Sequence, residues 1–158
     1  MANGFWKNLL DGIITVNQIL TAGIAITAFS LFIYSLSFNL RDRVARAFSI
    51  ILICIITIYT AEALQGSANA EIIIGLFLKI EWLGIIFLPA SYIQLSHGLL
   101  LASGAIVGKK LRFLQFSAYL ISCSFTVLLA GGYLVGELVI SDQPAPYLQR
   151  TSLTEIFT

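Results

Sequence analysis

Four long apolar stretches, separated by short polar breaks, set the pattern of this chain. They cover residues 13–38, 47–64, 82–103 and 113–135, the last fraying near Ile140. The breaks fall at residues 39–46, 65–71 and 104–112, and a polar tail occupies residues 141–158. A helix needs roughly 20 mostly apolar residues to cross a bilayer. These runs are too long for ordinary strands and lack the polar–apolar alternation of barrel strands. Lipid leaves any other backbone unsatisfied. The pattern predicts an all-α integral membrane protein: an antiparallel bundle of four transmembrane helices within residues 1–140, then a polar outer tail.

The segment leading into the third span departs from this simple scheme. Residues 71–103 contain little that breaks a helix, and a continuous helix of that length would measure about 50 Å. That exceeds the roughly 30 Å of hydrocarbon in a bilayer. Residues 71–81 are therefore expected to form an outer extension, with membrane entry at Trp82. Trp82 then serves as an interfacial anchor, as do Trp6 and Tyr133. Pro89 lies inside the span and predicts a kink.

Composition narrows the class further. The chain has 158 residues, of which 58% are hydrophobic and 11% charged. Soluble domains are about 25% charged, so too few polar side chains exist here to coat a soluble globule. The net charge of +1 gives no field that would attract nucleic acid. Cys54 and Cys123 both sit inside apolar runs and read as small buried hydrophobes, not as a disulfide. No metal-ligand spacing is present. The first span lacks a cleavage signature and is expected to be a permanent anchor.

The placement of charge says more than its sum. Arg41, Arg43 and Arg46 follow the first span, and Lys109, Lys110 and Arg112 follow the third. Those six of the nine basic residues must share one side, which the positive-inside rule assigns to the cytoplasm. The break between spans two and three carries no basic residue. Both termini are then expected outside a plasma or inner membrane. Contact of the basic loops with anionic headgroups is their ordinary fate.

Ionisable groups within apolar spans are the natural candidates for function. They are Glu62, Lys79, Glu81, His97 and Glu137. Glu62, Lys79, Glu81 and Trp82 predict an outer polar cluster able to take a ligand or proton, with Lys79 as the partner of Glu62. The plainer reading is a set of interfacial charges that pair or reach solvent. His97 shares a helix face with Gln94 and Ser91. An imidazole there can hold a haem or a chlorophyll-type pigment, or it can make an interhelical hydrogen bond. Haem usually wants a second axial ligand, and this chain has one histidine and one methionine. Small residues recur every seventh position, as Gly84, Ser91 and Gly98 and again as Ser117, Ser124 and Gly131. They predict close packing of the third span on the fourth. Nothing in the sequence assembles a nucleophile with a base, so a non-catalytic role is expected.

The run KIEWLGIIFLPASYIQLSHGLL, through Trp82, Gly84, Pro89 and Tyr92, resembles the third helix of the N-terminal seven-transmembrane region of bacterial sensor histidine kinases. The order of basic loops and the outer start agree with that likeness, and Pro144, Pro146 and Tyr147 resemble the outer loop after its fourth helix. The likeness implies a sensory-type membrane module, matched over its first four helices; the remaining three helices and the kinase output are not in this sequence. A second expectation comes from a different class: a small accessory subunit of a bioenergetic or photosynthetic complex, with other membrane subunits as partners and a pigment on His97. A transporter component is a third; the paired broken helices of many transporters are missing.

Overall fold

The computed structural model describes residues 2–37, 42–65, 70–105, 108–139 and 147–150. Four helices dominate: α1 (Ala2–Ser37), α2 (Arg43–Gln65), α3 (Glu71–Ala102) and α4 (Lys109–Ala130). Each contains a segment long and apolar enough to cross a membrane. Helix α3 is continuous through Pro89, whose ring nitrogen leaves the Ile85 carbonyl without its usual i+4 donor. Its 32 residues extend about 48 Å at 1.5 Å per residue, so residues 71–81 belong to the same rod as the rest.

The helix ends follow from local sequence. Asp42 caps α2, its side chain accepting the Val44 N–H at 3.0 Å, a favoured start. Helices α3 and α4 both finish in Schellman turns. Gly104 (φ +77°) and Gly132 (φ +74°) take the left-handed position. After α3 the Ala105 N–H reaches Leu100 and the Gly104 N–H reaches Leu101; after α4 Tyr133 reaches Leu128 and Gly132 reaches Leu129. This paired bonding satisfies the orphan carbonyls of the last turn.

Helix α4 therefore stops at Ala130, short of the expected end at residue 135, because the Gly131–Gly132 pair turns the chain. Beyond the turn the chain is extended. Strand β1 (Val135–Val139) pairs antiparallel with β2 (Tyr147–Arg150), with Val139 opposite Tyr147 and Leu138 opposite Leu148. Within the expected polar outer tail, residues 147–150 thus pair with β1 as a two-stranded ribbon, and β2 lies against α3. Residues 141–146 and 151–158 of that tail lie outside the described residues, as do Arg41 and residues 66–69 of the break between α2 and α3.

The helices are antiparallel to their neighbours, as the cross-helix contacts fix. Ser35 meets Ser49 while Thr21 meets Glu62; Gly98 meets Arg43 while Gly84 meets Ile58; His97 meets Gln115 while Ile86 meets Ser122. Among the described residues, substantial helix–helix contact joins only α1 to α2, α2 to α3 and α3 to α4. The four helices the sequence predicts are thus antiparallel and, among the described residues, stand in an open row. Closure would need α4 to reach α1. Helix α1 offers a single buried seam, Thr21, Ala28 and Ser35, and α4 buries only Ser122 and Leu129 among its described residues. The outer surfaces of both are rich in exposed large apolar side chains, among them Ile19, Ile26, Phe113, Phe116 and Val127.

Sevenfold spacing of small residues sets the close part of the row. Thr21, Ala28 and Ser35 on α1, Ala47, Cys54 and Ala61 on α2, and Ser91 and Gly98 on α3 are all buried, as is Gly84. Small residues let backbones approach. The stripe of Gly84, Ser91 and Gly98 faces α2, not α4 as the sequence predicts. A Cβ on Gly84 would lie 2.6 Å from Ile58 Cγ1 and 3.0 Å from the Cys54 carbonyl oxygen. The expected matching stripe on α4 does not form one: Ser124 and Gly131 are exposed and Ser117 is half-buried. Helix α4 turns Gln115, Tyr119, Ser122 and Leu129 to α3 instead. Its apolar contact gathers at one end, where Leu78, Ile86, Leu129 and Leu134 pack with Trp82 and Phe125.

Candidate functional site

Polar groups concentrate at three levels along α3, and the two ends carry opposite charge. At the first end, Glu62 of α2 points toward α1. Its carboxylate accepts from the Thr21 hydroxyl at 3.3 Å and from the Asn17 amide at 3.5 Å. Glu81 of α3 is close enough to Glu62 for the two charges to act on one another. Lys79 is exposed and lies on the other flank of α3, lining a groove with Leu83, Thr126 and Leu129. Trp82 packs into the apolar cluster between α3 and α4.

The expected outer cluster therefore divides. Glu62 and Glu81 share one region; Lys79 and Trp82 belong to the α4 side. The expected pairing of Glu62 with Lys79 gives way to hydrogen bonds from α1, because successive helical positions diverge by about 100°. Asn17 and Thr21 are one turn apart and so fall on a common face, a signal in the sequence that could have marked them as partners for a buried acid. Of Glu137, within β1, the side chain lies outside the described set.

The middle level is a ladder of interhelical bonds. The Cys54 thiol and the Ser91 hydroxyl meet at 3.7 Å, and Ser91 also donates to the Phe87 carbonyl at 2.9 Å. Ser122 of α4 donates to the Ile86 carbonyl at 2.9 Å. The Tyr119 hydroxyl donates to Gln94 Oε1. No buried side-chain nitrogen or oxygen among the described residues lacks a partner. Other hydroxyls, such as Thr27, Ser30 and Thr57, bond the carbonyl four residues back on their own helix, which removes their need for partners elsewhere.

At the second end, His97 Nδ1 lies 2.6 Å from Gln115 Oε1. An amide oxygen can only accept, so the ring carries its proton on Nδ1. This is the interhelical bond the sequence offers as one role for His97. The ring also borders a polar cavity of about 240 Å³, lined by Arg43, Arg46, Gln94, His97, Gly98, Leu101 and Gln115. A tetrapyrrole pigment does not fit these residues. The cavity is below the roughly 300–1,000 Å³ of drug-sized ligand sites, and two guanidinium groups line it where a flat apolar macrocycle would need greasy walls.

Among the described residues no group of three or more His, Cys, Asp or Glu side chains could hold a metal ion. Arg43, Arg46, Lys109, Lys110 and Arg112 gather at the His97 end, whereas Glu62, Glu71 and Glu81 lie toward the other. Comparison with family models, with curated proteins and with solved structures finds no match in any of the three.

Proposed function

We propose that the chain is a non-catalytic, sensory-type module of the cell membrane, with the arginine- and lysine-bearing end in the cytoplasm and both termini outside. The observation that carries this reading is the position of α3. It is bonded to α2 through Ser91 and to α4 through Ile86, Gln94 and His97. It also carries Glu81, beside Glu62, at one end and His97 at the other. A change in the charge of the Glu62–Glu81 pair acts on a helix that touches both neighbours. It shifts an equilibrium only if two helix arrangements hold that charge differently.

Glu62→Gln tests this directly. Spin labels at Ile19 on α1 and Cys123 on α4, in bilayer discs and with Cys54 replaced by Ser, report the separation across the row. The reading expects two distance populations whose ratio moves on Glu62→Gln. One population, unchanged by the substitution, contradicts it.

A second reading, an accessory subunit of a larger membrane assembly, is favoured by the slight internal burial of α4, whose outward face carries Phe113, Phe116 and Val127. Extraction from native membranes in mild detergent separates the two. A large co-purifying complex supports the subunit, and a particle the size of the chain or its dimer supports the sensor.

A further inference from the structure

We infer that the cavity at the basic end of α2, α3 and α4 is a binding site for a phosphate group. Its lining holds Arg43, Arg46, Gln94, His97 and Gln115 and includes no carboxylate. The hydrogen bonds already made decide what the lining can still offer. Gln94 spends its oxygen on Tyr119 and Gln115 spends its oxygen on His97. Each amide is left with its NH2 donors. The two guanidiniums carry donors only. Apart from His97 Nε2, an acceptor while the proton sits on Nδ1, the lining presents donors from three helices and asks for a partner with several acceptor oxygens.

Local electrostatics agree. Arg43 and Arg46 stand in the first turn of α2, which contains no acidic residue. That is the positive end of a helix dipole, where a cation is unfavourable and an anion is welcome. Asp42, the acid next to this turn, does not line the cavity; it accepts the Val44 N–H at 3.0 Å, and the two arginines outnumber its single charge. An arginine fork matches phosphate oxygens two at a time. About 240 Å³ accommodates a phosphate group with attached waters. Two sources present that chemistry at this end of the helices: an anionic lipid headgroup, or a soluble phosphate compound entering from the aqueous side.

Because His97 is the single histidine, its ring resonances report on the cavity without assignment. Tag-free protein in phosphatidylcholine discs is titrated with inorganic phosphate at constant pH and ionic strength, against chloride. A second preparation replaces part of the lipid with phosphatidic acid. A saturable shift of the His97 signals with phosphate identifies a soluble source; a shift only with phosphatidic acid identifies the lipid. Arg43→Gln with Arg46→Gln should weaken either response about tenfold or more. Lys109→Gln with Lys110→Gln removes the same charge from the same end but leaves the cavity intact, and should preserve it.

The proposal is overturned if neither phosphate nor phosphatidic acid moves the ring signals beyond chloride. It is equally overturned if the lysine variant loses the response as fully as the arginine variant. Should the arginine variant fail to assemble, the phosphate and phosphatidic acid responses of the unaltered protein, each against its chloride or phosphatidylcholine control, decide.

Discussion

The two sides of α3 are built by different rules. Toward α2 the contact is close and made by small residues: Gly84, Ser91 and Gly98 let α2 approach, and a Cβ on Gly84 would collide with Ile58. Toward α4 the helices are held by side chains that reach, Ser122 to the Ile86 carbonyl, Tyr119 to Gln94 and Gln115 to His97. The first kind of interface draws on dispersion between backbones and tolerates no added volume. The second combines a few hydrogen bonds with one apolar cluster at the Leu78–Leu129 end. A row with one rigid joint and one polar joint can move at the polar one without losing its framework.

Substitutions that strike each joint should separate them by size of effect. Gly84→Leu overpacks the α2 joint and is expected to cost about 3 kcal/mol or more, read as lost resistance to thermal or denaturant unfolding in micelles. Ser122→Ala removes a buried donor from the α4 joint and should cost about 1 kcal/mol. A double-mutant cycle on Gln94→Leu and Tyr119→Phe should return a coupling of about 0.6 kcal/mol, and no more than about 1.7. Gly98→Ala is the smallest. Its Cβ would meet the Arg43 carbonyl at 3.6 Å, an ordinary contact, so stability should change by less than about 0.5 kcal/mol. Equal losses for Gly84→Leu and Gly98→Ala would erase the distinction drawn along the α2 side.

The same contrast explains what the sequence made legible. Four helices are legible because uninterrupted apolar length is a property of each segment alone. The sevenfold glycine–serine stripe on α3 announces that some backbone comes close, but spacing on one helix does not say which neighbour it is. The answer lies in the matching small residues Ala47, Cys54 and Ala61 on α2. Ser91, Gln94 and His97 form a polar face that the sequence displays, whereas Tyr119 and Gln115 become partners only once the register of α4 is set. The stop of α4 at Ala130 was written in Gly131–Gly132, a C-cap signal masked by the apolar residues beyond it. The paired strands after it depend on backbone pairing between neighbouring segments, which hydropathy does not encode.

The ends of the row show the limits of reading charge by position. Glu62, Lys79, Glu81 and Trp82 lie at similar height, but height alone does not bring side chains together, and helical phase divides them. Arg43, Arg46 and His97 come from two helices and share a cavity that no single stretch of sequence displays.

The open row is the claim on which the rest depends, and disulfide trapping in membranes tests it. In a background with Cys54 and Cys123 replaced by Ser, cysteines at Ser35 and Ser49, whose hydroxyls lie 2.9 Å apart, should cross-link rapidly under mild oxidation. Pairs joining α1 to α4 at the same height, such as Ile26 with Val127, both exposed, should not cross-link within one chain. Efficient intramolecular trapping of α1 to α4, alongside that of Ser35 to Ser49, would mean a closed ring of helices and would contradict the account.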